Sequence, residues 1–168
     1  QLFWLGLISK SSELKHLETS NFGTYWQTVR ELPELDLEFS LPDSDLIQRI
    51  DTLKAINKDR GVYGGQGWAN YAVTYFNDCY KLALGLNFSL KHGATALVVL
   101  GNSILQGILI PTDRYLGQIC ELVGLECVKI HVPRSTRVGN SIINSDIRVG
   151  KAKKNAQLYE AVVEVRKS

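Results

Sequence analysis

The sequence has no methionine and begins at glutamine, so position 1 is not expected to be a natural translation start. Only four prolines, three cysteines and three histidines occur in 168 residues. Cys79, Cys120 and Cys127 are odd in number, show no CxxC spacing and sit in apolar periodic patterns. They read as reduced core residues of an intracellular protein, and a disulfide framework is excluded. No spacing among these cysteines and His16, His92 and His131 suits a metal ion. No window is long and apolar enough to span a membrane, and no signal peptide, internal repeat or low-complexity stretch is present. A nucleophile elbow of the GxSxG type is also missing. The "GVYGGQG" stretch at 61–67 is not a phosphate loop, because no strand precedes it and no Lys-Ser/Thr follows; it reads as a flexible hinge.

What remains is an ordinary globular composition, 45% hydrophobic and 21% charged, on a chain that suits one domain. The net charge of +2 says little by itself, but its distribution is uneven. Residues 1–60 carry 10 acidic and 7 basic side chains. Residues 134–154 carry Arg134, Arg137, Arg148, Lys151, Lys153 and Lys154 against only Asp146. Such a basic segment is either a phosphate-binding footprint or a solvated loop.

Periodicity divides the chain. "QLFWLGL" reads as the end of a buried helix, and residues 10–45 as an irregular or short-helical excursion. In 43–56, Leu46, Ile47, Ile50 and Leu53 fall on one helical face. A long helix follows residue 67, with Ala72, Tyr75, Phe76, Cys79, Ala83 and Leu86 spaced at three and four. "TALVVLG" (95–101) is apolar throughout and reads as an inner strand buried on both faces. "PTDRYLGQICELVG" reads as a helix capped by Thr112 or Asp113 and stopped by Gly124. Residues 125–132 and 158–165 read as strands. The sum is the second half of a doubly wound α/β sheet.

The chemistry is sparse. No nucleophile, base and orienting acid assemble in the sequence, so no catalytic set emerges. Gly101-Asn102-Ser103 stands out, because the carboxyl end of a strand in an open α/β sheet faces the ligand crevice. Asn102 offers a donor and an acceptor suited to a heterocycle edge; alternatively it satisfies backbone groups at the strand end.

Four stretches then point to a family: "YFNDCYKLA" (75–83), "LKHGATALVVLGNS" (90–103), "GILIPTDRYLGQICELVGLE" (107–126) and "LYEAVVEVRK" (158–167). Together they resemble the carboxyl-terminal half of a bacterial amino-group DNA methyltransferase, which uses S-adenosylmethionine to methylate adenine N6 or cytosine N4. "LFWLGL" is similar to the segment after the catalytic loop of such enzymes. Cys79, His92 and Leu125 depart from the family's usual Met, Pro and Phe. The resemblance implies a partial Rossmann-like class I methyltransferase sheet with the last strand antiparallel. It implies a division into 1–67, with possible target-recognition elements, and 68–168, the α/β part. Gly101, Asn102 and Ser103 would line the target-base pocket, and the six basic residues of 134–154 would contact DNA phosphates. Tyr25, Trp26 and Arg30 are either recognition probes or core. The family's Phe-x-Gly-x-Gly cofactor loop and Pro-Pro catalytic loop do not occur here. S-adenosylmethionine would therefore be bound mainly by residues outside this chain, and the chain alone should be inactive. The implied partners are double-stranded DNA and an N-terminal methyltransferase half, on the same or a separate chain, in the bacterial cytoplasm. The setting would be restriction-modification or a similar defence system. A non-catalytic DNA-binding subunit, or part of an RNA or small-molecule methyltransferase, are the alternatives.

Overall fold

The computed structural model describes residues 4–134 and 158–168. Its backbone is set by α4 (Gly65–Ser89), 25 residues long and rich in alanine, leucine and aromatics. Ala72, Phe76, Cys79 and Ala83 form its buried stripe, with Tyr75 and Leu86 half-buried at the margins, as the spacing of three and four requires. The helix ends where Leu90 turns extended and Gly93 takes a positive φ of 77°. That turn is tied down by the Gly93 amide donating to the Lys167 carbonyl at 2.7 Å.

Three strands form the main sheet: β1 (Thr95–Gly101), β4 (Leu125–Arg134) and β5 (Glu160–Lys167). Their order is β1-β5-β4, with β5 antiparallel to both neighbours, so β1 and β4 are parallel to each other. The expected last strand lies between the other two and runs against them. α5 (Thr112–Leu122) links β1 to β4 and lies across all three strands. Beneath it, Ala161, Val163 and Val165 of β5 are fully buried. Both long helices cover the same face, because Phe76 of α4 and Leu116 of α5 share one core with Val163. The architecture is mixed α/β with a mostly antiparallel sheet.

Between β1 and α5 the chain forms a small hairpin, β2 (Ser103–Leu105) and β3 (Ile108–Ile110), joined by the two residues Gln106 and Gly107. Both have positive φ, 50° and 83°, which is the conformation a type I′ hairpin turn demands. Apolar spacing alone does not indicate this hairpin, because Gln-Gly is a weaker turn signal than Asn-Gly.

The N-terminal third is ordered by side chains rather than by a sheet. α1 (Ser11–Thr19), α2 (Trp26–Val29) and α3 (Leu46–Ala55) are short. The extended run between α2 and α3 is clipped to α4 by two buried asparagines seven residues apart. Asn70 donates to the Val29, Leu32 and Pro33 carbonyls and accepts from the Leu35 amide. Asn77 accepts from the Glu38 amide and donates to the Asp36 carbonyl. An irregular backbone thereby meets its hydrogen-bonding demand inside the fold.

Several expectations are overturned here. The described part of the opening segment, from Trp4 on, is no buried helix end: Trp4 is 94% exposed, and residues 4–6 form a turn. Ile47 points outward, while Leu46, Ile50 and Leu53 form the buried face of α3. Within 61–67, Gly64, Gly65 and Gly67 are packed against backbone. A Cβ on Gly65 would lie 1.7 Å from the Leu53 carbonyl oxygen, so glycine is there for close backbone approach. β1 is not an inner strand, because its outward side chains Leu97 and Val99 are 64% and 62% exposed. Neither Thr112 nor Asp113 caps α5, whose N-cap position is Pro111.

Candidate functional site

The carboxyl end of β1 opens onto a cavity of about 170 Å³. One wall is α4, which supplies Tyr71, Ala72, Tyr75 and Phe76 at helical spacing. The other is built from Gly101, Asn102 and Ser103, with Leu105, Ile110 and Thr112 from the hairpin and the start of α5. The segment singled out at the strand end thus lines the cavity, together with Tyr75 and Phe76 of the helix stripe and with Tyr71, which the helical spacing did not single out. Tyr71 and Tyr75 precede Phe76 by five and one, and only the fold shows that this shoulder of the helix stripe faces a strand end.

The wall is held firmly. Thr112 Oγ1 donates to the Gly101 carbonyl at 2.5 Å, pinning the last turn of β1 to the first turn of α5. Asn102 is 4% exposed, and its Oδ1 accepts the Tyr159 amide at 2.9 Å. That acceptor therefore fixes the entry to β5 rather than meeting a ligand. Asp113 is 3% exposed and accepts from the Tyr159 hydroxyl through both oxygens, at 2.9 and 3.0 Å. Burial, followed by this hydrogen bond, pushes the Tyr159 phenol up to about 12. Tyr75 is likewise raised, mainly by burial, and stays a neutral hydroxyl. Its ring makes edge contacts with Phe76 at 5.4 Å and with half-exposed Phe22 at 5.5 Å, which rigidifies the aromatic wall.

Size and chemistry limit what fits. An apolar cavity of about 150 Å³ admits a benzene ring, whereas drug-sized ligands need roughly 300 Å³ or more. A single flat ring system suits this site, with aromatic side chains on one side and small polar residues at the rim. Among the described residues no carboxylate, imidazole, amine or thiol lines it, so these walls bind without offering an acid–base group of useful pKa. Burial pushes Cys79 and Cys120 up to about 12, which leaves both thiols unreactive. Among the described residues no cluster of His, Cys, Asp or Glu could hold a metal ion, and no helix is long and apolar enough to cross a membrane.

The other expected site residues separate. Arg134 is exposed at the end of β4, while Arg137, Arg148, Lys151, Lys153 and Lys154 lie outside the described residues. Trp26 stacks on Trp68 at 4.9 Å, and the Arg30 guanidinium sits 4.8 Å from the Trp26 ring and 4.4 Å from Tyr63. Those two act as packing. Tyr25, 69% exposed, is the member of that trio presented to solvent.

Comparison of the chain with family models, with curated proteins and with solved structures finds no match.

Proposed function

We propose that this chain is the carboxyl-terminal part of an S-adenosylmethionine-dependent DNA methyltransferase acting on an exocyclic amino group of adenine or cytosine, and that the cavity at the end of β1 receives the target base. The observation that carries the reading is the pairing of Tyr71, Tyr75 and Phe76 with Gly101-Asn102-Ser103 around a space sized for one heterocycle. An enzyme that modifies a base must take it out of the stack and seat it between apolar or aromatic walls. The antiparallel β5 between two parallel strands supports the same sheet type.

In this reading S-adenosylmethionine is held mainly by residues outside this chain. A cavity of about 170 Å³ takes one base and is well below what the whole of S-adenosylmethionine needs. The chain's share is then to receive the base and, through its basic segment, to bind phosphate, an affinity that falls with salt. That no acid–base group lines the cavity among the described residues also favours a second reading, a non-catalytic DNA-binding subunit.

The test is a titration of the isotope-labelled chain with adenosine and cytidine, followed by NMR. Shifts confined to Gly101–Ser103, Tyr71 and Tyr75 are expected. No shift there at millimolar nucleoside would refute the base pocket. DNA binding is tested separately with Lys153→Glu/Lys154→Glu, and an unchanged affinity and salt slope would refute the role of the basic segment.

A further inference from the structure

The hairpin β2–β3 supplies part of the cavity wall, and little within the hairpin itself holds it in place. Its strands pair over three residues each and form a sheet of their own. A lone two-stranded hairpin is marginal in water. Its turn also places Gln106, a residue with a Cβ, at a φ of 50°. Alternation puts Ser103, Leu105, Ile108 and Ile110 on one face, and three of those four line the cavity. Where the hairpin stands therefore sets how wide the cavity is.

Two polar ties reach the hairpin from one stretch, α3 and the residues just after it. Across a two-residue turn the pairs Leu105↔Ile108 and Ser103↔Ile110 exchange ladder hydrogen bonds, whereas Ile104↔Leu109 does not. The Leu109 carbonyl thus points away from β2, and Arg49 Nη1 donates to it at 2.6 Å. The same guanidinium is held from behind by Asp45, which accepts from Nε at 2.8 Å and lies 2.7 Å from Nη2. Asp45 in turn accepts the Tyr115 hydroxyl at 2.6 Å. The Tyr115 ring packs edge-on, at 5.4 Å, against Phe76 on the α4 wall of the cavity. One chain of contacts thereby joins the hairpin to α4 without entering the cavity. At the hairpin tip, Asn57 Nδ2 donates to Gln106 Oε1 at 2.8 Å.

We infer that Arg49 is a positioning residue for the cavity: by gripping the Leu109 carbonyl it holds Leu105 and Ile110 at the spacing from α4 that one flat ring requires. Arginine suits this task, because its planar fork serves a carboxylate and a carbonyl at once in fixed geometry. A charge-assisted bond is also among the stronger single ties open to so short a hairpin. The coupling is reciprocal. A ring that fills the cavity braces the hairpin against Arg49, and a hairpin released by Arg49 binds the ring less tightly. The site is thus governed from α3, a helix that contributes nothing to its lining. This role rests on the cavity; only the identity of the ring as a base rests on the function proposed above.

The experiment follows hydrogen exchange of the peptide spanning 101–112, in the protein as the cell makes it, during titration with benzene, adenosine or cytidine. Benzene reports the apolar cavity, and the nucleosides report its reading as a base pocket. The concentration that gives half of the protection is the affinity at this site. Wild-type hairpin amides should slow when the ring is added. Arg49→Met keeps the stem and loses the donors. It should raise ligand-free exchange across 103–110 about tenfold and the half-protection concentration by the same factor, the competent wall then being populated about a tenth of the time. Arg49→Lys keeps a charged donor and should recover part of both. Lys54→Met is the control: it breaks an ion pair of the same helix, to Glu34 at 2.5 Å, and should change neither. If Arg49→Met fails to fold, Asn57→Gly decides, since glycine keeps the φ of 49° and loses only the tie at the tip. Both quantities should then rise about two- to threefold. Unchanged affinity in the deciding variant, an equal loss in Lys54→Met, or faster exchange without weaker binding would each overturn the inference. So would wild-type amides that no ring protects. Protection by benzene but by neither nucleoside would remove the base reading and leave the role of Arg49 standing.

Discussion

Tyr159→Phe isolates one interaction that shapes the cavity. The variant keeps the ring, so no void is created, and it keeps the backbone amide that binds Asn102. It removes the hydroxyl that donates to both oxygens of Asp113, a carboxylate 3% exposed at the start of α5. A hydrogen bond to a buried charged acceptor is worth about 1.5–3 kcal/mol net. The helix dipole still favours the carboxylate but does not replace the donor. With about 2 kcal/mol lost, a chain of this size should melt about 4–8 °C lower. Urea unfolding at neutral pH measures the difference, and Asp113→Asn provides the control. A neutral acceptor halves the strength of the bond, so Tyr159→Phe should cost about half as much in that background. A loss below about 0.5 kcal/mol in the Asp113 background would show that solvent replaces the hydroxyl and would refute a stabilising Tyr159–Asp113 bond. The pH dependence has a definite sign. The folded phenol sits at about 12, above its ordinary value of 10.0. Its contribution is therefore complete below pH 10, falls as pH rises toward 12, and is absent from Tyr159→Phe in a wild-type-minus-variant comparison.

Three further outcomes test the fold around the site. Gly65→Ala places a methyl group 1.7 Å from the Leu53 carbonyl oxygen and 2.6 Å from that of Ile56, so it should cost at least about 3 kcal/mol. Gly85→Ala, in the same helix with nothing within 4 Å, should instead stabilise by about 0.5–1 kcal/mol, and thermal melts separate the two. Asn70→Ala removes four hydrogen bonds to backbone from a position 1% exposed; a loss of about 3–4 kcal/mol and faster proteolysis within residues 29–38 are expected. The Tyr115 hydroxyl, and after it Arg49, hold the Asp45 carboxyl below its ordinary value of 3.8. Its contribution is present above that pH and is lost as pH falls through the folded value, so Asp45→Asn should flatten the acid limb of the stability curve.

The local elements were legible where a period and a stop signal coincide. α4, α5 with Gly124 at its end, and the strands near 95, 125 and 160 follow from apolar spacing and turn residues alone. Gly101-Asn102-Ser103 was legible as a site candidate because a polar step after an apolar strand is a local signal. The hairpin at 103–110 was not, since its turn residues are not the strongest hairpin pair and its strands are three residues each.

What the sequence could not assign were the relations across the chain. A run such as TALVVLG tells that both sides of a strand are apolar, not whether both are covered; the order β1-β5-β4 leaves one side open. Likewise Asn70 and Asn77 are unremarkable polar residues in a helix until the 29–38 segment lies over them, and Asp113 looks like a cap until Tyr159, 46 residues later, takes its carboxylate. Periodicity is a property of neighbours in sequence and is fixed by composition and spacing. Edge, partner and pocket wall depend on contacts between distant segments, whose free energy exists only once the chain has closed on itself.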